Sequence, residues 1–80
     1  MKVLFFARIR EQLGEDGLEL DTPLTIASLR TYMQERFPNH KSLFGQEYAL
    51  VAVNQEIETC ESRELMNSDE VAFLPPMTGG

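Results

Sequence analysis

The sequence predicts an α+β domain in which one mixed sheet, four- or five-stranded, lays one face on a single main helix. Three observations lead there. Short apolar runs of strand type sit near both ends, Val3 to Ala7 and Val71 to Leu74. Only one stretch, Ile26, Leu29, Met33 and Phe37, repeats with a sustained helical period. Finally, 80 residues leave room for one small unit, so the order strand, strand, helix, strands must close into one layer pair.

Each element has its own local cause. Val3 to Ala7 is apolar and aromatic between flanking charges, as a central strand would be. Ile9 to Leu13 can add one helical turn, with Gly14 as its stop, and Glu15-Asp16-Gly17 is a turn signal. Leu18 to Asp21 alternates strictly, which predicts a second strand with one wet face, paired back on the first. Thr25 is placed to cap the main helix; Arg30, Gln34 and Glu35 are expected outside its apolar stripe, and Pro38 ends it. A polar stretch, Asn39 to Ser42, follows. Tyr48 to Val53 is the third strand, Asn54-Gln55 a turn, and Ile57 to Cys60 a shorter fourth. Val71 to Leu74 closes the sheet, because neither Pro75 nor Pro76 can donate to a ladder.

Alternation assigns the faces. In the first strand Lys2, Leu4 and Phe6 share one side, and Val3, Phe5 and Ala7 the other; the lysine marks its own side as outer. In the last strand Glu70, Ala72 and Leu74 lie outward by the same logic. One helix covers one face only. Phe6, Ile57 and Leu74 are therefore expected to form an apolar partner-binding patch on the uncovered face, unless the 41 to 47 loop folds over it.

Composition excludes several functions. With 13 Asp and Glu against 7 Lys and Arg, the chain carries a formal charge of −6 and should repel nucleic-acid phosphates. That charge suits solubility, or a basic protein partner. No run approaches the length of a membrane span, and Arg8 and Arg10 interrupt the N-terminal apolar run before a signal sequence can develop. One cysteine, Cys60, cannot form an internal disulfide, and with the lone His40 it falls short of a metal site, so a reducing, cytoplasmic setting is expected. Gly14, Gly17 and Gly45 stand apart, so no phosphate-cradling loop can be drawn. His40 has no acid or nucleophile at helical spacing, and Cys60 lies among Glu58, Glu61 and Glu64, a setting that disfavours a thiolate.

What remains is the tail. The chain divides into a domain, residues 1–74, and an extended flexible end, residues 75–80, Pro75-Pro76-Met77-Thr78-Gly79-Gly80. Six uncharged residues at about 3.3 Å each could carry the last carboxylate about 20 Å from the sheet. The prolines stiffen its base. Gly79 and Gly80 can thread a crevice too narrow for any side chain. An ionised carboxylate is a poor electrophile, so chemistry at this end needs activation by another protein, most simply as an acyl-adenylate.

These residues are familiar together. A β-grasp, ubiquitin-like order ending in this tail after Asp69-Glu70-Val71-Ala72-Phe73-Leu74 resembles the small, sulfur-carrying subunits of molybdopterin synthase. Val3-Leu4-Phe5-Phe6-Ala7-Arg8 with Arg10-Glu11, Ser28-Leu29-Arg30, and Val51-Ala52-Val53-Asn54-Gln55 are similar to strings of that family. Residues 38–47 carry little of the likeness, and Met77 stands where a smaller β-branched residue is usual.

The resemblance implies a mechanism. An E1-like adenylyltransferase would activate the Gly80 carboxylate with ATP and Mg²⁺, neither of them permanently bound to this chain. A sulfur donor, such as a cysteine desulfurase or rhodanese-like protein, would then convert it to a thiocarboxylate. The tail residues Pro75, Pro76, Met77, Thr78 and Gly79 would insert into the large synthase subunit, where the sulfur attacks a cyclic pyranopterin monophosphate. Sulfur would ride on Gly80 and not on Cys60, and two small and two large subunits would form a heterotetramer. A ubiquitin-like protein modifier, a carrier for thiamine-type or tRNA thiolation, and a binding module with an inert tail are the alternatives.

Overall fold

The computed structural model describes residues 1–21 and 24–76. Their elements, in chain order, are β1 (Lys2–Phe5), α1 (Ala7–Leu13), β2 (Gly17–Glu19), α2 (Ile26–Arg36), a 3₁₀ segment (Pro38–Phe44), β3 (Leu50–Val53), β4 (Glu56–Ile57) and β5 (Glu70–Leu74). The five strands lie in the order β2-β1-β5-β3-β4. β1 runs parallel to β5 at the centre, and every other pairing is antiparallel. The expected mixed sheet on one main helix is what forms.

Several boundaries move for local reasons. β1 stops at Phe5 because Ala7 takes a left-handed backbone, φ 51°, and opens α1. Ala7 is consequently exposed and does not share the inner face with Val3 and Phe5. Gly14 does end α1, at φ 73°, its N–H donating to the Arg10 carbonyl. β2 begins one residue early, at Gly17, and a Cβ there would run into the Val3 carbonyl oxygen, so only glycine lets β2 approach β1 this closely. β3 begins at Leu50, since the Tyr48 and Ala49 N–H groups are spent on the Gly45 carbonyl. β4 reaches only Ile57, and Cys60 turns away as its N–H donates to Glu58 Oε2.

The inner face is one continuous core. Val3, Phe5, Val51, Val53, Val71 and Phe73 from the sheet meet Ile26, Leu29 and Met33 of α2, with Ile9 and Leu65 at the ends, all buried. Phe44 sits between Phe5 and Phe73, ring centroids 5.9 and 5.1 Å away, edge to face, and stacks on Phe37 at 5.8 Å.

The start of α2 is closed on all sides. Thr25 Oγ1 accepts from the Ser28 N–H while Ser28 Oγ accepts from the Thr25 N–H, a capping box with serine in the usual place of an acid. The next free donors, Ile26 and Ala27 N–H, bond the Arg63 and Glu61 carbonyls. Arg30 departs from expectation: it is buried, not outside. Its Nη1 donates to the carbonyls of Phe44, Gly45 and Ala49, and its Nε and Nη2 grip both oxygens of Glu61 at 2.8 and 3.0 Å. A guanidinium with that many partners can leave water without an orphaned donor.

The polar stretch after Pro38 is not a plain loop. It coils as two short 3₁₀ turns that meet at a kink at His40 (φ −134°, ψ 34°), anchored by Leu43 and Phe44 on the helix side of the sheet. It therefore does not cover the outer face.

Arg30→Met should lower unfolding free energy by about 2 to 4 kcal/mol, because three carbonyls and a half-screened carboxylate lose their donor together. Glu61→Gln, which keeps one acceptor, should cost about 1 kcal/mol. Urea titration of both variants checks the order.

Candidate functional site

The face turned away from α2 is organised in rows across the strands. The first row is charged: Lys2 lies opposite Glu19 on one side and Glu70 on the other. The second row is small at its centre, with Gly17, Leu4, Ala72, Ala52 and Ile57 in register. In the third, Leu74 faces Leu50, and Phe6, one residue past β1, is tied beside them by its N–H to the Phe73 carbonyl. Phe6 and Ile57 are 41% and 54% exposed, high values for large apolar side chains, and Leu74 is half-buried.

The structure brings the three expected patch residues together. Phe6, Ile57 and Leu74 line one open groove of about 370 Å³ with Leu4, Ala52 and Ala72, and Gln55 and Glu70 supply its polar edge. Leu4, Ala52 and Ala72 were not singled out from the sequence, although their alternation with Val3, Val53 and Val71 carries the signal. Pro75 and Pro76 follow β5 directly, both half-buried. Because β1 and β5 are parallel, the exit of the chain toward the tail lies beside Phe6, at the apolar end of the face. Met77, Thr78, Gly79 and Gly80 lie outside the described residues.

One end of the groove is pinned by a polar lock. Asn54 and Gln55 both take left-handed backbone, φ 52° and 72°, as a two-residue hairpin turn matched to the sheet's twist requires. Asn54 Nδ2 donates to Asp69 Oδ1, the Met66 N–H donates to Asp69 Oδ2, and Asn54 Oδ1 accepts the Glu70 N–H. The Met66 N–H, and then the Asn54 amide, hold the Asp69 carboxyl below its ordinary 3.8. In the neighbouring loop, the Cys60 N–H and then Arg63 lower the Glu58 carboxyl from 4.5.

Elsewhere the chemistry is sparse. Cys60 is an exposed free thiol with its sulfur 3.3 Å from Ser62 Oγ, and His40 is half-buried at the kink between the two 3₁₀ turns. Among the described residues no group of three or more His, Cys, Asp or Glu could hold a metal ion, and no helix is long and apolar enough to cross a membrane.

A five-stranded sheet with a parallel central pair, one capped helix and an open apolar face defines a β-grasp protein. Comparison with known proteins agrees and goes further. The model of the ThiS family matches residues 3–80. The molybdopterin synthase sulfur carrier subunit of Escherichia coli (strain K12) is 40% identical over 82 residues, spanning 100% of this chain and 99% of that protein. A solved structure from Pyrococcus furiosus is 26% identical, with 95% of each chain covered and a TM-score of 0.75. A complex of subunits 1 and 2 of molybdopterin-converting factor from Helicobacter pylori matches at 24% identity and TM-score 0.65, covering 99% of this chain and 96% of that one. The chain belongs to the ThiS family, among the molybdopterin synthase sulfur carrier subunits.

Two outcomes are expected of this site. Phe6→Ala and Ile57→Ala should each change unfolding free energy by less than about 1 kcal/mol, whereas Phe44→Ala should cost about 3 to 5 kcal/mol, as thermal denaturation would show. Asp69, with its folded pKa depressed, contributes stability above the unfolded carboxylate pKa that is lost as pH falls through the folded value. Asp69→Asn should therefore be less stable at neutral pH and lose stability less steeply below about pH 4, read from melting temperature against pH.

Proposed function

We propose that this chain carries sulfur as a thiocarboxylate on Gly80 and delivers it, in a molybdopterin synthase, to a cyclic pyranopterin monophosphate. The observation that carries the reading is the family match, which runs from residue 3 through residue 80 and so takes in both the sheet and the Gly79-Gly80 end. The groove supports it, because an apolar face beside the tail's exit lets one docking event fix both the domain and the tail.

The chemistry follows from the carboxylate. An E1-like adenylyltransferase spends ATP, with Mg²⁺, to turn the Gly80 carboxylate into an acyl-adenylate. The terminal sulfur of a persulfide on a cysteine desulfurase or rhodanese-like donor then displaces AMP to give an acyl disulfide, and a second thiol cleaves its S–S bond, leaving the thiocarboxylate on Gly80 and the donor cysteine in a disulfide with that thiol. The thiocarboxylate sulfur attacks the pterin precursor in the large subunit, and hydrolysis returns the carboxylate for another round. This chain supplies the docking face, through Phe6, Ile57 and Leu74, and the threading tail, Pro75 to Gly79. Side chains acting on the pterin belong to the large subunit. The subunits 1 and 2 seen together in the Helicobacter pylori complex support that pairing, and the cytoplasm is where it would take place.

Incubation with the adenylating partner, ATP and a sulfide source should add the mass of one oxygen-to-sulfur exchange, mapped to the C-terminal peptide. Deletion of Gly80 should abolish that gain and leave the melting temperature unchanged. Conjugates of higher mass on lysines would instead indicate a protein modifier.

A further inference from the structure

We propose that the outer face receives its partner through one bulky apolar side chain seated over Ala52 and Ala72, and that basic groups surround that side chain on the partner. The inference deepens the carrier reading and rests on it, since the partner is taken to be the large synthase subunit.

The row pattern carries the argument. Ala72 lies between Leu4 and Ala52 in register, and Ala52 between Ala72 and Ile57, so two methyl groups form the floor between two branched side chains. Phe6 and Leu74 raise the wall on the tail side, and the charged row raises the other. The result is a depression of about 370 Å³ whose lining comes entirely from one sheet face and its turn. Among the described residues no second wall opposes it. A free small molecule would keep its far side in water, so the occupant must project from a larger body. An apolar floor walled by Leu4, Phe6, Ile57 and Leu74 suits an aromatic or branched aliphatic group.

Charge decides the surroundings. Lys2 is flanked in register by Glu19 and Glu70, which leaves the charged row net acidic on a chain of charge −6. A second copy of this chain would set that acidic row against its own equivalent, and its central row offers alanines where a protruding side chain is needed. A basic surface with one apolar knob meets both requirements.

The test is binding of the full chain to the purified large subunit by titration calorimetry, with sulfur loading of Gly80 measured in parallel. Ala72→Leu fills the depression from a half-exposed strand position; it should weaken binding by about tenfold or more while the melting temperature holds. Ala72→Gly should stay within about threefold of the native affinity, and native affinity should fall as salt rises from about 0.05 to 0.5 M. Glu70→Lys should also weaken binding and flatten that salt dependence, and keeps the proposal testable if Ala72→Leu fails to fold. Equal affinity of Ala72→Leu and the native chain would overturn the seated side chain, and salt-independent binding would overturn the basic surround. A native chain that loads sulfur yet does not bind would sink this inference alone; one that neither loads nor binds would sink the carrier reading with it. A stable dimer of the free chain in sedimentation, abolished by Ala72→Leu, would reassign the face to self-association.

Discussion

The parallel pairing of β1 with β5 is the constraint on which the rest of the structure depends. It joins two largely apolar strands at the centre of the sheet, Val3 beside Val71 and Phe5 beside Phe73, so both must be covered on their inner side. With α2, the 3₁₀ segment provides that cover. Parallel alignment also sends both strands out at the same end, which puts Phe6, Leu74 and the start of the tail side by side. The open apolar face and the chain's exit toward the tail thus become neighbours through topology rather than through any special contact.

The two faces divide the labour. On the inner side lie the groups that hold the fold: the phenylalanine cluster, the capped start of α2 and the Arg30 clamp on residues 44, 45, 49 and 61. On the outer side the groove residues are half-buried or exposed, apart from Ala52, and little of the core rests on their side chains. The polar lock of Asn54 with Asp69 stands at the border, using backbone N–H groups of residues 66 and 70 to fix the turn that carries Gln55 toward the groove.

Much of this was legible in the residues. Alternation around Lys2 and Glu70 places Phe6, Ile57 and Leu74 outward, and the groove contains all three. Thr25, Pro38 and Gly14 mark their boundaries because capping, a missing donor and left-handed backbone act locally. Arg30 was misread because charge on a helix is ordinarily solvated; its spacing, four after Ile26 and three before Met33, sets it at the stripe's edge, and its burial depends on carbonyls distant in sequence. The 3₁₀ segment was missed for a similar reason. Leu43-Phe44 is a short apolar pair inside a polar stretch, and only the tertiary gap between Phe5 and Phe73 gives it a place. The depression at Ala52 and Ala72 could not be read without knowing which strands adjoin, because it exists only across the register of separate strands.

The central pair has a kinetic consequence as well. Lys2 meets Glu70 across a loop that encloses nearly all of the described chain, so chain entropy is lost before the pairing rewards it, which slows folding. A partly folded molecule has no groove, because the floor needs β1, β3 and β5 in register at once. A partner that docks on this face would therefore recognise only a chain whose β1, β3 and β5 are already assembled.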